Sequence, residues 1–279
     1  MTANPALRKT NTIPAAELAA ALAGSRDVVL LDVRFAPDRT GLKESYIAGH
    51  LPGAIYIDLA TELADAGGRD KGGGSNPLPD PAKLEADLRR KGVGRDSTVI
   101  VYDDGNGAPA ARAWWTLTWA GLPDVRILDG GIAAWKAAGH ALESGEVEPR
   151  RPGDVVIDAG KLPSLDAVAA ASFAGKGILV DVRPAATFGG QGTGHIPGAR
   201  NFPADRLLGP DGRLASAPEL AQRLREAAID TTRPLAAYCG GGVAAALFTL
   251  ALAEIGTEVA LYPGSWSEWT ADRTRPIEL

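Results

Sequence analysis

A chain that carries its own pattern twice, in the same order, is constrained to fold as two related units, and this one does so in four blocks. Val29-Leu30-Leu31-Asp32-Val33-Arg34 returns as Ile178-Leu179-Val180-Asp181-Val182-Arg183. Gly49-His50-Leu51-Pro52-Gly53-Ala54 returns as Gly194-His195-Ile196-Pro197-Gly198-Ala199. Thr98 through Asp103 is matched by Pro234 through Cys239, and Gly130 through Trp135 by Gly264 through Trp269. The offset drifts from 149 residues between Val29 and Ile178 to 134 between Gly130 and Gly264, and duplication is the simplest account. Length agrees. At 279 residues the chain exceeds the usual single domain, and each half can bury most of its own apolar surface.

Within each half the pattern alternates between short apolar runs and helical stretches. Val28–Val33, Ile178–Val182, Thr98–Tyr102 and Pro234–Tyr238 have the composition of strands covered on both faces, with Val125–Leu128 and Glu258–Tyr262 as third strands. The periodicity predicts helices over Pro14–Leu22, Pro81–Lys91, Ala110–Trp119, Pro218–Ala227 and Val243–Glu254. Thr12 ahead of Pro14 and Ser216 just before Pro218 supply N-terminal signals. Such alternation predicts an α/β fold, a mainly parallel sheet flanked by helices, in each of two domains. The acidic, proline-containing stretch Glu143–Pro152 marks the connection, giving domains over 1–143 and 157–279 with a linker over 144–156.

Composition narrows the partners. A net charge of -5 leaves no basic stripe for nucleic acid, although a local pocket for a small anion is compatible with it. No stretch approaches a membrane span, and MTANPALRKTNTIPAAELAAALAG lacks the apolar centre of a secretory signal. A single cysteine cannot form an intrachain disulfide, which fits a reducing compartment, and a cytoplasmic location is expected. No set of His and Cys has metal-ligand spacing, so neither metal nor cofactor is expected.

The chemistry concentrates on Cys239. It follows a buried strand and precedes Gly240-Gly241-Gly242-Val243, after which an apolar helix begins. Ligand sites in open α/β sheets lie beyond the carboxyl ends of the strands. Consecutive glycines let backbone N–H groups converge, and the helix aims its N-terminus at the same point. A cradle of that kind favours an anionic sulfur, whether thiolate or persulfide. The competing reading is a small buried hydrophobe. The first half supplies a control, because Asp103 in Tyr102-Asp103-Asp104-Gly105-Asn106-Gly107 stands where the second half has its thiol. One active half and one scaffolding half is the natural inference.

These motifs resemble the two-domain rhodanese family across essentially the whole chain. The resemblance rests on HLPGA and HIPGA in the two halves, YDDGNGAPAARAWW in the first, and YCGGGVAAA and LYPGSWSEW in the second. It implies two tandem rhodanese-like domains and a sulfurtransferase that carries sulfur as a Cys239 persulfide, cradled by Gly240, Gly241, Gly242 and Val243. The cysteine loop is closest to the 3-mercaptopyruvate branch. A loop without cations favours 3-mercaptopyruvate over the thiosulfate dianion as donor, with a thiol, cyanide or thioredoxin-like acceptor. The resemblance also implies that Arg183 holds the donor carboxylate, with a salt bridge to Asp181 as its alternative role. Asp181 orients the loop or an arginine, and Asp38 lies near the family's supporting acid. His50 faces the site and serves proton transfer, or else pins its turn, as His195 in the same block of the other half also can.

Two departures bear on the donor. The 3-mercaptopyruvate branch has a serine where this chain has Gly241, and its second carboxylate-binding arginine falls at Thr187. Arg200 and Arg112 are the candidates to replace it, with a structural salt bridge as the alternative for Arg112. Three other classes compete. A thiosulfate:cyanide sulfurtransferase would use the same intermediate, whereas a non-catalytic persulfide carrier would turn over free donors poorly. A cysteine phosphatase or arsenate reductase needs an arginine six residues after the cysteine, where this chain has Ala245. The remaining features are expected to be structural: Gly72-Gly73-Gly74 as a surface loop, Trp114, Trp115 and Trp119 as packing, and Trp266 or Trp269 at the site's rim.

Overall fold

A computed structural model describes residues 10–24, 27–36, 38–149, 151–189 and 192–279. The first nine residues of the segment inspected for a signal, and Arg150 of the expected linker, lie outside these. The chain divides into two compact units, one of residues 10–64 and 79–161 and the other of 65–78 and 162–279.

The first unit is built on a five-stranded parallel sheet of β1 (Thr12–Ile13), β2 (Val28–Arg34), β3 (Ile55–Asp58), β4 (Thr98–Tyr102) and β5 (Val125–Leu128). Its order is β1-β5-β4-β2-β3. The second unit has β6 (Ile178–Asp181), β7 (Arg200–Asn201), β8 (Leu235–Tyr238) and β9 (Val259–Leu261), parallel and ordered β7-β6-β8-β9. The two orders superpose strand for strand, and the lone parallel bridge of Ser164 to Leu261 takes the place of β1. Apolar runs such as Leu30-Leu31 and Leu179-Val180 are buried because helices cover these parallel sheets.

The duplication extends to individual hydrogen bonds. Tyr102 Oη accepts from Leu51 N at 3.0 Å, as Tyr238 Oη does from Ile196 N at 3.1 Å. Trp135 Nε1 donates to Ala141 O at 2.9 Å, and Trp269 Nε1 to Pro276 O at 3.0 Å. Leu30, Leu51, Tyr102 and Trp135 in one core correspond to Leu179, Ile196, Tyr238 and Trp269 in the other.

The five predicted helices form, as Ala15–Gly24, Pro81–Arg90, Ala108–Trp119, Ala217–Glu226 and Ala244–Glu254. Asp80 caps the second by accepting from Lys83 N at 2.9 Å. A Ser216–Glu219 capping box starts the fourth. The edge strands β3 and β7 and the short helices Leu42–Ala48, Gly131–Ala137, Ala167–Phe173 and Ser265–Trp269 are additions to the sequence reading. Trp114, Trp115 and Trp119 are core residues. Among the described residues no helix is long and apolar enough to cross a membrane.

The division differs from the expected boundaries in two places. The segment after 143 packs on the first unit through Gly153 N to Arg89 O at 2.7 Å and Val155 N to Val93 O at 3.2 Å. The stretch 65–78, which contains Gly72-Gly73-Gly74, belongs with the second unit, with Gly72 exposed and Gly74 buried.

Candidate active site

Cys239 follows the last residue of β8 and is 3% exposed. The backbone turns over Gly240, Gly241 and Gly242, the last at φ 79°, where a side chain would be strained. That turn brings Gly242 N to 3.1 Å from Cys239 Sγ as a donor. Val243 is buried at the mouth of the helix Ala244–Glu254, whose N-terminal end opens toward the loop. Ser265 completes the surroundings. It is wholly buried, accepts from Cys239 N at 3.2 Å, donates to Tyr262 O at 2.9 Å, and lies with its Oγ 3.9 Å from Sγ.

The thiol-free half shows which backbone donors this loop turns inward. The helices begin at Ala108 and Ala244, at the same separation from Asp103 and Cys239. Asp103 places its carboxylate in the turn and accepts from Gly105 N at 2.9 Å, Gly107 N at 3.2 Å and Ala110 N at 3.0 Å. Burial pushes its carboxyl above the usual range, while those N–H groups pull the other way. The backbone after the third strand grips both loops alike. Ile132 N donates to Asp103 O at 3.0 Å, and Trp266 N to Cys239 O at 2.9 Å. A turn that satisfies a carboxylate with three backbone donors is chemically suited to an anionic sulfur.

Arg183 occupies the place its sequence alternative foresaw. Its Nε and Nη2 clamp Asp181 at 2.9 and 2.6 Å, Nη2 also reaches Gly194 O at 2.6 Å, and Nη1 reaches Thr193 Oγ1 at 3.1 Å. Trp266 covers the guanidinium at 4.3 Å. Arg34 makes a similar set in the half that lacks a thiol, with Asp32 at 2.9 Å, Gly49 O at 2.6 Å and Ser45 Oγ at 2.5 Å, and adds an ion pair to Asp104 of its own turn at 3.3 Å. The carboxylate that Arg183 holds is thus that of Asp181, and the pair ties β6 to the turn beginning at Gly194. This is the salt bridge named as the alternative for Arg183, and it buttresses the turn.

His50 has the same internal symmetry. Its Nδ1 donates to Tyr46 O at 2.9 Å and its ring stacks on Tyr46 at 4.3 Å. His195 Nδ1 donates to Phe188 O at 2.9 Å and stacks on Phe188 at 3.8 Å. Each histidine also exchanges two backbone hydrogen bonds with a distant glutamate, Glu143 or Glu278. His50 is wholly buried, its Nδ1 pins the turn, and its Nε2 has no hydrogen-bond partner among the described residues. Thr187 is exposed, with its hydroxyl turned back to Pro184 O. Among the described residues no group of three or more His, Cys, Asp or Glu is placed to hold a metal.

Three residues near the loop escape a reading by motif: Ser75, Asn76 and Ser265. Asn76 Nδ2 donates to Gly241 O at 2.7 Å, and Ser75 N donates to Ser267 Oγ at 2.9 Å. Ser265 was detectable as the one departure between Gly130-Gly131 and Gly264-Ser265. Nothing local signals Asn76, because its partner lies 165 positions away.

A buried thiol facing a backbone N–H, in one copy of a duplicated parallel α/β scaffold, defines a class of tandem α/β proteins. Residues 14–138 and 164–272 match the Rhodanese-like domain, and the chain belongs to that family. It is 43% identical over 275 residues to the putative thiosulfate sulfurtransferase SseB of Mycobacterium tuberculosis, covering 95% of each chain. It is 43% identical over 289 residues to a probable 3-mercaptopyruvate sulfurtransferase of Pseudomonas aeruginosa, covering 95% of this chain and 96% of that one. The solved structure of SseA from Escherichia coli, a 3-mercaptopyruvate sulfurtransferase, superposes with a TM-score of 0.79 at 33% identity, covering 92% of this chain and 99% of that one.

Proposed function

We propose that this sulfurtransferase moves sulfur through a persulfide on Cys239. The observation that carries the reading is the Gly242 N–H directed at Cys239 Sγ within a turn whose counterpart holds the Asp103 carboxylate. The Cys239 thiolate attacks the sulfur of the donor, for which 3-mercaptopyruvate is our choice. The carbon–sulfur bond breaks, its electron pair leaves as the enolate of pyruvate, and the enolate takes a proton. A thiol, cyanide or thioredoxin-like acceptor then attacks the outer sulfur and releases the Cys239 thiolate. Backbone donors of the turn stabilise the negative sulfur in both steps.

The loop 239–243 carries no cation, which disfavours a dianionic donor such as thiosulfate. The relatives carry both donor names, so initial rates with each donor and cyanide form the test. A clear preference for 3-mercaptopyruvate, abolished in Cys239→Ser, is expected. Preference for thiosulfate by a wide margin overturns the donor, and undiminished turnover in Cys239→Ser overturns the nucleophile. A free thiol of this kind suits a cytoplasm that keeps cysteines reduced.

A further inference from the structure

We propose that Asn76 is a positioning residue for the Cys239 sulfur, acting through the peptide group that joins Gly241 to Gly242. The inference rests on the reading of Cys239 as the nucleophile. Gly241 C=O and Gly242 N–H are the two ends of one planar unit, and fixing one end fixes the other. Asn76 Nδ2 holds the oxygen end at 2.7 Å, and the hydrogen end points at Cys239 Sγ with N and S 3.1 Å apart. A carbonyl can only accept, so the amide nitrogen of Asn76 must face it. The hydrogen bond to the carbonyl also polarises the peptide and strengthens its N–H as a donor. The effect falls on the thiolate, which accepts that N–H more strongly than a thiol does.

The segment carrying Asn76 is anchored where this role requires. Asn76 is 1% exposed. Ser75 N donates to Ser267 Oγ, and Ser267 N in turn donates to Gly240 O at 2.8 Å. Gly74 approaches so closely that a Cβ there would lie 2.5 Å from Gly264 O. One strap from the first half of the sequence therefore grips both the cysteine turn and the turn after β9. It also accounts for Gly241, because a Cβ at that position would meet Ser75 Cβ at 3.0 Å and Asn76 Nδ2 at 3.4 Å. The bare backbone of the turn and the side chains of the strap are complementary.

The test compares alkylation of Cys239 by iodoacetamide in the full-length parent, Asn76→Asp and Asn76→Ala. Aspartate keeps the shape and, where ionised, cannot donate and adds a negative charge beside the turn, whereas alanine removes the group outright. At about pH 7 both folded variants are expected to react about tenfold more slowly, with the rates converging at about pH 10. A variant with the parental melting temperature and the parental rate overturns the proposal, as does equal slowing at both pH values, which marks lost access. A measurement on the parent needs no variant. The Asn76 side-chain amide and the Gly242 amide protons should titrate in NMR with the midpoint of alkylation, and indifference of the Asn76 signal contradicts the relay. None of these readings requires a sulfur donor. Failure of the parent to load sulfur would sink the proposed function and leave the Asn76 comparison decisive.

Discussion

Ser265 stands in the second half where Gly131 stands in the first, and both hold left-handed backbone, at φ 54° and 53°. At Gly131 a Cβ would lie 2.4 Å from Asp103 O, so that half is restricted to glycine. The second half accommodates a serine there, although the conformation disfavours any side chain. The hydroxyl returns something for that strain, because it accepts from Cys239 N and donates to Tyr262 O. Ser265→Gly should relieve the backbone and lose these bonds, leaving stability within about 1 kcal/mol of the parent. Ser265→Ala keeps the strain and should be less stable than Ser265→Gly by about 1 kcal/mol. Both should turn over sulfur more slowly. Calorimetry beside initial rates checks this, and parental turnover in Ser265→Gly would assign the serine no part in the site.

Arg34 and Arg183 should behave as a matched pair. Each is a buried bidentate partner of an aspartate, so Lys at either position loses the paired geometry. Arg34→Lys and Arg183→Lys should each destabilise their own half by about 2–4 kcal/mol, read from urea midpoints. The donor KM of folded Arg183→Lys should stay near the parental value. A large KM rise confined to Arg183→Lys would assign the donor carboxylate to Arg183 as well.

Asp103 predicts a pH effect with a definite sign. Its carboxyl lies above the ordinary carboxylate value in the folded chain, with burial the largest cause and the Ala110, Gly105 and Gly107 N–H groups opposing it. The folded state then binds this proton more readily than the unfolded state does. The associated stability is fully present below the unfolded value and is lost as pH rises through the folded one. The stability difference between the parent and Asp103→Asn should therefore move in favour of the variant from about pH 4 to about pH 7. Urea midpoints across that range test it, and movement in the opposite direction would show that the N–H groups outweigh burial.

How much of this was legible in the sequence depended on the range of the interaction. The four repeated blocks carried the parallel α/β architecture and the central strands, because a strand buried on both faces must be largely apolar, as Val28–Leu31 is. The edge strands Ile55–Asp58 and Arg200–Asn201 were hidden, since a two- to four-residue pairing leaves no period to detect. Cys239 and its glycines were legible because the turn is local. Arg183 was harder to place, because its charge announced a partner and only the distances to Asp181 supply an internal one. Asn76 was invisible, since a tertiary contact so remote in sequence leaves no local pattern.

The central claim is that Cys239 carries the transferred sulfur, and intact-mass measurement after mixing the protein with 3-mercaptopyruvate or with thiosulfate tests it most directly. The account predicts a gain of one sulfur atom with 3-mercaptopyruvate, removed by cyanide and absent in Cys239→Ser. No gain with either donor, or an equal gain in Cys239→Ser, would contradict it.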